Sequence, residues 1–142
     1  MAGELKNIPT AIGVVAAAIT LEDERILLQR RAPGTRHAGL WEFPGGKVEA
    51  GETPENALIR EIEEELALVI DSRRLALLGS AREAASGEFP AIVMSLYKVG
   101  SWSGAPVGRH GQEWGWFDAQ EAHALPKPPL DVALFETLMR PG

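Results

Sequence analysis

Residues 45 to 68 run from a glycine-rich loop, Gly45-Gly46-Lys47-Val48-Glu49-Ala50-Gly51-Glu52, into a segment loaded with acid. Thr53 suits an N-cap, and Pro54 suits the first helical position, where no amide donor is missed. Leu58, Ile59, Ile62 and Leu66 fall on one side of the resulting helix and face a core. Glu61, Glu64 and Glu65 stand at i, i+3 and i+4, so their carboxylates gather on a different ridge. Like charges at that spacing repel by roughly 0.2–0.5 kcal/mol per pair on an exposed helix. A solvated acidic face tolerates this, but hard oxygen donors collected on one ridge also suit Mg²⁺ or Mn²⁺.

The rest of the composition narrows the classes. A chain of 142 residues fits one domain, expected to span 1–142, with a single core. The absence of cysteine excludes disulfides, thiol nucleophiles and Cys-type zinc sites. The longest strongly apolar run, Ala11 to Ile19, is too short to cross a bilayer. No basic stretch followed by an apolar one opens the chain, so a cytoplasmic protein without membrane contact is expected. A formal net charge of -6 disfavours binding to a nucleic acid polymer. It leaves room for a small polyphosphate, because bound metal ions reverse the local sign.

In chain order, Thr10 to Ile19 reads as a buried strand. Glu22-Asp23-Glu24 is a polar turn, and Arg25 to Arg31 its hairpin partner. Ala32 to Gly39 is a loop, and Trp41-Glu42-Phe43 a short extended piece ended by Pro44-Gly45-Gly46. Beyond the acidic helix, Arg73 to Ala84 and Ala91 to Val99 read as strands, and Ser101 to Gly111 as a loop. Trp114 to Phe117 is a last strand, Asp118 an N-cap, Ala119 to Ala124 a short helix, and Asp131 to Met139 a final one. Strands on both sides of one acidic helix suggest an α+β arrangement, a mixed sheet sandwiched between helices.

Taken as Gly46, five residues, Glu52, seven residues, Arg60-Glu61-Ile62, one residue, Glu64-Glu65, the central stretch resembles the Nudix box of the Nudix hydrolases. Arg30-Arg31-Ala32 and Leu40-Trp41-Glu42-Phe43-Pro44-Gly45-Gly46-Lys47 are similar to the MutT branch, which hydrolyses nucleoside triphosphates. Trp116-Phe117 and the proline-rich approach to Asp131 are later matches. The resemblance implies a Nudix α/β/α sandwich and a Mg²⁺-dependent release of nucleoside monophosphate and pyrophosphate, with Mn²⁺ as a substitute ion. By carry-over, Glu61, Glu64, Glu65 and the Gly45 carbonyl hold metal. Glu61 doubles as the base, and Arg60 orients the ridge, so Glu61, Glu64 and Arg60 form the catalytic set. The resemblance sets Arg31, Glu42, Phe43, Pro44, Gly45, Lys47 and Asp131 against the substrate. A monomer or weak homodimer is expected.

Two departures stand out. Ala67 replaces the box glycine, and a slightly extended helix through it is expected. His110 occupies the place where MutT-type enzymes often carry a further metal-binding Glu. Either the box glutamates suffice and His110 is a plain loop histidine, or Glu113 substitutes for the missing Glu, or His110 is itself a metal ligand, better suited to a transition metal than to Mg²⁺. Base selection is assigned to Asp131, whose other reading is the N-cap of the last helix after Pro129-Leu130. MutT enzymes that clear 8-oxo-dGTP often carry Asn there, and Asp resembles the cytidine-type branch. An ionised Asp only accepts hydrogen bonds, while a protonated one can also donate. Trp41, Phe43, Phe89 and Trp102 are candidates to stack on a base, and His37 and His123 are expected at the surface. The alternatives are hydrolysis of another nucleoside diphosphate derivative and a non-catalytic nucleotide-binding module.

Overall fold

The computed structural model describes residues 11–140. Its strands are β1 (Ile12–Ile19), β2 (Ile26–Arg30), β3 (Trp41–Glu42), β4 (Gly45–Lys47), β5 (Val69–Ile70), β6 (Leu75–Glu83), β7 (Ile92–Val99), β8 (Trp102–Ser103) and β9 (Trp114–Phe117). Three helices accompany them, α1 (Pro54–Leu66), α2 (Ala119–Ala124) and α3 (Pro129–Met139), with a short 3₁₀ turn at Ser72–Arg74. No described helix is long and apolar enough to cross a membrane.

The main sheet is mixed, in the order β4-β1-β7-β6, with β1 and β7 parallel and the other pairs antiparallel. Alternation along β1 builds one core on each face. Val15, Ala17 and Ile19 pack with Leu58, Ile62 and Leu66 of α1, whereas Ala16 and Ala18 pack with Leu134 and Phe135 of α3. The expected sandwich of a mixed sheet between helices is present. Each fully buried Leu or Ile in these layers stabilises the fold by roughly 1.5–3 kcal/mol.

Several local expectations change. β1 and β2 meet through a single bridge at Thr20 and Ile26 and belong to different sheets, because β1 is central and its edges are taken by β4 and β7. β2 instead joins β3 and β9 in a three-stranded sheet. Gly45-Gly46-Lys47 is a strand rather than a loop end. A Cβ on Gly45 would lie 1.9 Å from the Val15 carbonyl oxygen, so only glycine lets β4 come this close to β1. Arg73 and Arg74 lie in the 3₁₀ turn, Ala84 lies outside β6, and β8 interrupts the expected 101–111 loop. Thr10 lies outside the described residues.

Helix α1 begins as its sequence dictates, with Thr53 Oγ1 accepting the Asn56 amide at 3.1 Å. Its end does not. The helix stops at Leu66, and Ala67 adopts a left-handed conformation (φ 60, ψ 26). Leu68 is fully buried, so the chain must reverse sharply to return to the core. The Val107 and Arg109 amides then satisfy the carbonyls of Leu66 and Glu65.

Candidate active site

The loop before α1 and the first half of that helix are joined by Arg60. Its guanidinium takes the Glu52 carboxylate in two hydrogen bonds of 2.8 Å and reaches Glu61 at 2.8 Å, Glu64 at 3.3 Å and the Lys47 carbonyl at 3.1 Å. Arg60 and the Glu49 amide together hold the Glu52 carboxyl down at about 2. Arg60 thus lies behind the acidic ridge as its organiser. The Glu61 carboxylate rests against the Gly46 backbone, where a Cβ would stand 2.3 Å from its carboxyl carbon.

Glu65 has different surroundings. Burial foremost, with repulsion from Glu42 and Glu61, pushes its carboxyl up to about 8, against a hydrogen bond from Gln29. Gln29 and Asp131 are the two buried polar side chains among the described residues. Among those residues no three acidic or histidine side chains converge on one point. Glu64 is mostly exposed, drawn aside by Arg60. A hard cation still fits the donor set: Glu61, Glu64, Glu65 and the Gly45 carbonyl supply only oxygen, and Glu65 is a half-buried carboxyl whose neighbouring charges are mainly negative.

A cleft of about 310 Å³ extends from Glu65 past Gly45, Gly46 and Lys47 to Asp131. It also takes in Arg31, Glu42 and Phe43, so of the expected substrate-side residues only Pro44 is absent from its walls; the Pro44 carbonyl accepts the Ala17 amide instead. Val14, Ile92, Met94 and Leu130 give the far end apolar walls. Arg31 is no free cation. It binds the Arg36 carbonyl at 2.6 Å and the Glu42 carboxylate at 2.8 Å. Glu42 remains above the usual carboxylate range, because burial outweighs Arg31.

Asp131 lies in the first turn of α3, whose N-cap is Pro128, so it does not cap the helix. Its carboxylate accepts the Phe43 amide at 3.0 Å. Burial, then the Glu42 charge, raises its carboxyl to about 7. Of the proposed aromatics, Phe43 lines the cleft. Trp41 packs edge-on against Phe117 and Trp102 stacks on Trp116. Phe89 lies 4.1 Å beneath the Arg36 guanidinium, which also pairs with Glu83 at 2.9 Å, Arg36 and Glu83 both lining the cleft.

His110 is exposed and lines a smaller recess of about 160 Å³ together with Glu65, Gln29 and Gln112. Glu113 pairs with Arg30 at 3.1 Å. Arg36, Gln29 and His37 were not singled out for the site by the sequence, and His37 lines the main cleft rather than open surface. Gln29 did carry a signal. It alternates with Leu27 on the face of β2 that packs towards α1.

A model of the NUDIX domain matches residues 10–138. An 8-oxo-dGTP diphosphatase of Haemophilus influenzae is 41% identical over 130 residues, which are 90% of this chain and 91% of that protein. A CTP pyrophosphohydrolase of Escherichia coli is 36% identical over 125 residues, 88% of this chain and 90% of its own. The crystal structure of a MutT Nudix hydrolase from Burkholderia pseudomallei superposes with a TM-score of 0.81 at 30% identity, covering 92% of this chain and 99% of that one. The chain belongs to the Nudix family, in its MutT-like branch, and is a hydrolase of phosphoric anhydrides.

Proposed function

We propose that this single Nudix domain is a Mg²⁺-dependent nucleoside triphosphate pyrophosphohydrolase. It would convert a nucleoside triphosphate and water to the monophosphate and pyrophosphate, clearing modified nucleotides from the cytoplasmic pool. The observation that carries this is one cleft with Glu65 at one end and Asp131 at the other. Its volume and apolar far wall suit a nucleobase, and its acid-bearing end suits a metal-bound phosphate chain. The 8-oxo-dGTP diphosphatase and CTP pyrophosphohydrolase relatives support both candidate substrates. A carboxyl raised to about 7 at Asp131 suits 8-oxo-dGTP in its protonated form, since the acid donates to a purine oxygen. The ionised form accepts from an exocyclic amine, which keeps a cytidine-type triphosphate as the second substrate.

Glu61, Glu64, Glu65 and the Gly45 carbonyl would hold the cation. When bound, Mg²⁺ neutralises phosphoryl oxygens and lowers the pKa of a water. Glu61, held by Arg60, accepts the proton of the attacking water at its carboxylate. Lys47, on the cleft rim, meets the phosphate chain, while Phe43 and Asp131 fix the base. A screen of ordinary and oxidised nucleoside triphosphates, with pyrophosphate as the product measured, tests the assignment. Turnover greatest with 8-oxo-dGTP or a cytidine-type triphosphate is expected. Orthophosphate as the product, or no turnover by wild-type protein with Mg²⁺, would overturn it. Glu64→Gln should abolish turnover with the fold intact by circular dichroism.

A further inference from the structure

Gln29 is a long polar side chain at 4% exposure, at the end of the otherwise apolar Ile26-Leu27-Leu28 run. Across the ladder it pairs with Glu42, and it meets two half-buried carboxyl groups, Glu42 and Glu65. Its Nε2 donates to Glu65 Oε2, and its amide also stabilises the charge of Glu42. Behind it stands Gln112, whose Nε2 donates to Gln29 Oε1 at 3.4 Å and to the Glu65 carbonyl at 3.3 Å. Gln112 Oε1 in turn accepts the His110 amide at 3.0 Å.

The sense of this chain is fixed at its far end. A backbone N–H can only donate, so the His110 amide requires the oxygen of Gln112. Gln112 therefore turns its NH₂ towards Gln29, Gln29 receives it on its oxygen, and the Gln29 NH₂ is left pointing at Glu65. The loop from Val107 to Glu113 thus dictates, through two amides, that Glu65 meets a donor.

We infer that Gln29 is a positioning residue for Glu65. It clamps Oε2 and so fixes the rotamer in which the carboxylate is presented to the cation. This rests on Glu65 being a cation ligand, as proposed above. Partners of metal-ligating groups act in this way, and their loss typically lowers metal affinity about 10–100-fold.

The test is Mn²⁺ affinity of the full-length protein, read by electron paramagnetic resonance without nucleotide. Gln29→Met keeps the length of the side chain and removes the donor. It should bind Mn²⁺ about 10–100-fold more weakly than wild type. Gln29→Asn, one methylene too short to reach, should do likewise and serves if Gln29→Met does not fold. In a Glu65→Gln background, Gln29→Met should cause no further loss, because both changes act on one ligand. Wild-type affinity in both Gln29 variants, or an undiminished further loss in the Glu65→Gln background, would overturn the inference. Absence of Mn²⁺ binding by wild-type protein would instead remove Glu65 as a ligand, a distinct result.

Discussion

The Phe43 backbone amide donates to the Asp131 carboxylate at 3.0 Å, so the group assigned to read the base is fastened to the strand end that leads into the glycine loop. One oxygen of Asp131 is thereby occupied in a residue that lines the cleft. At neutral pH its carboxyl is close to half protonated, with burial as the main cause and Glu42 as the second.

Specificity should therefore depend on pH. As pH rises through about 7, Asp131 loses its proton and becomes an acceptor only. The kcat/KM for 8-oxo-dGTP should fall relative to that for a cytidine-type triphosphate between pH 6 and 8. Asp131→Asn should raise the ratio towards 8-oxo-dGTP and make it flat with pH. An unchanged ratio in Asp131→Asn would leave the residue only its contact with Phe43.

The same burial makes metal-free stability pH-dependent with a definite sign. Asp131 and Glu65 have folded values of about 7 and about 8, against 3.8 and 4.5 as free groups. Between the free and folded values the native state binds more protons than the unfolded chain, so stability is greatest near the low end and falls as pH rises. Thermal melts in a chelator should give a lower Tm at pH 8 than at pH 5. Asp131→Asn should reduce that slope, and Mg²⁺ should reduce it further by offsetting the charge on Glu65.

Ala67 is strained by its left-handed backbone, and a methyl there costs roughly 1–2 kcal/mol. Glycine removes the strain and costs roughly 0.4–1 kcal/mol through a freer unfolded chain. Ala67→Gly should therefore stabilise the protein by on the order of 0.5–1 kcal/mol. A rise in Tm of a few degrees without change in kcat is the expected result.

Legibility from the sequence followed the range of the interactions. Helix α1 and its Thr53 cap, and α2 with its Asp118 capping box, rest on neighbours a few residues away, and their residue types announce them. The separation of β1 from β2 depends on β4 and β7 competing for the edges of β1, which no local pattern encodes. Alanine itself usually marks helix, so the left-handed backbone at Ala67 was signalled only by the glycine that the box carries at that place. Arg31, Glu42, Phe43, Lys47 and Asp131, set against the substrate by the resemblance, line one cleft. The ion pair of Arg36 with Glu83 in its lining was hidden, since it joins residues far apart in sequence.

His110 shares a recess with Glu65, and its backbone amide is bound to Gln112 while its ring is exposed. If a second cation is bound there, His110→Glu replaces a borderline nitrogen donor with a hard oxygen one. The rate with Mg²⁺ should then rise relative to the rate with Mn²⁺. An unchanged ratio of the two rates would assign His110 to the loop alone.

Arg60 holds four groups at once, and its planar fork is what permits the two-bond grip on Glu52. A lysine at this position keeps the charge but offers one compact ammonium. It can reach Glu52 or Glu61, and cannot hold both together with the Lys47 carbonyl. Arg60→Lys should leave the glycine loop loosely tied to α1 and the Glu61 carboxylate free to turn. Turnover should fall by about 10–100-fold, the range found when the partner of a metal-site residue is lost. The loss should appear in kcat rather than in the KM for nucleotide, since Arg60 does not line the cleft. A matching fall in Mn²⁺ affinity would place the effect at the ridge. A rise in KM alone would mean that Arg60 contacts the substrate directly.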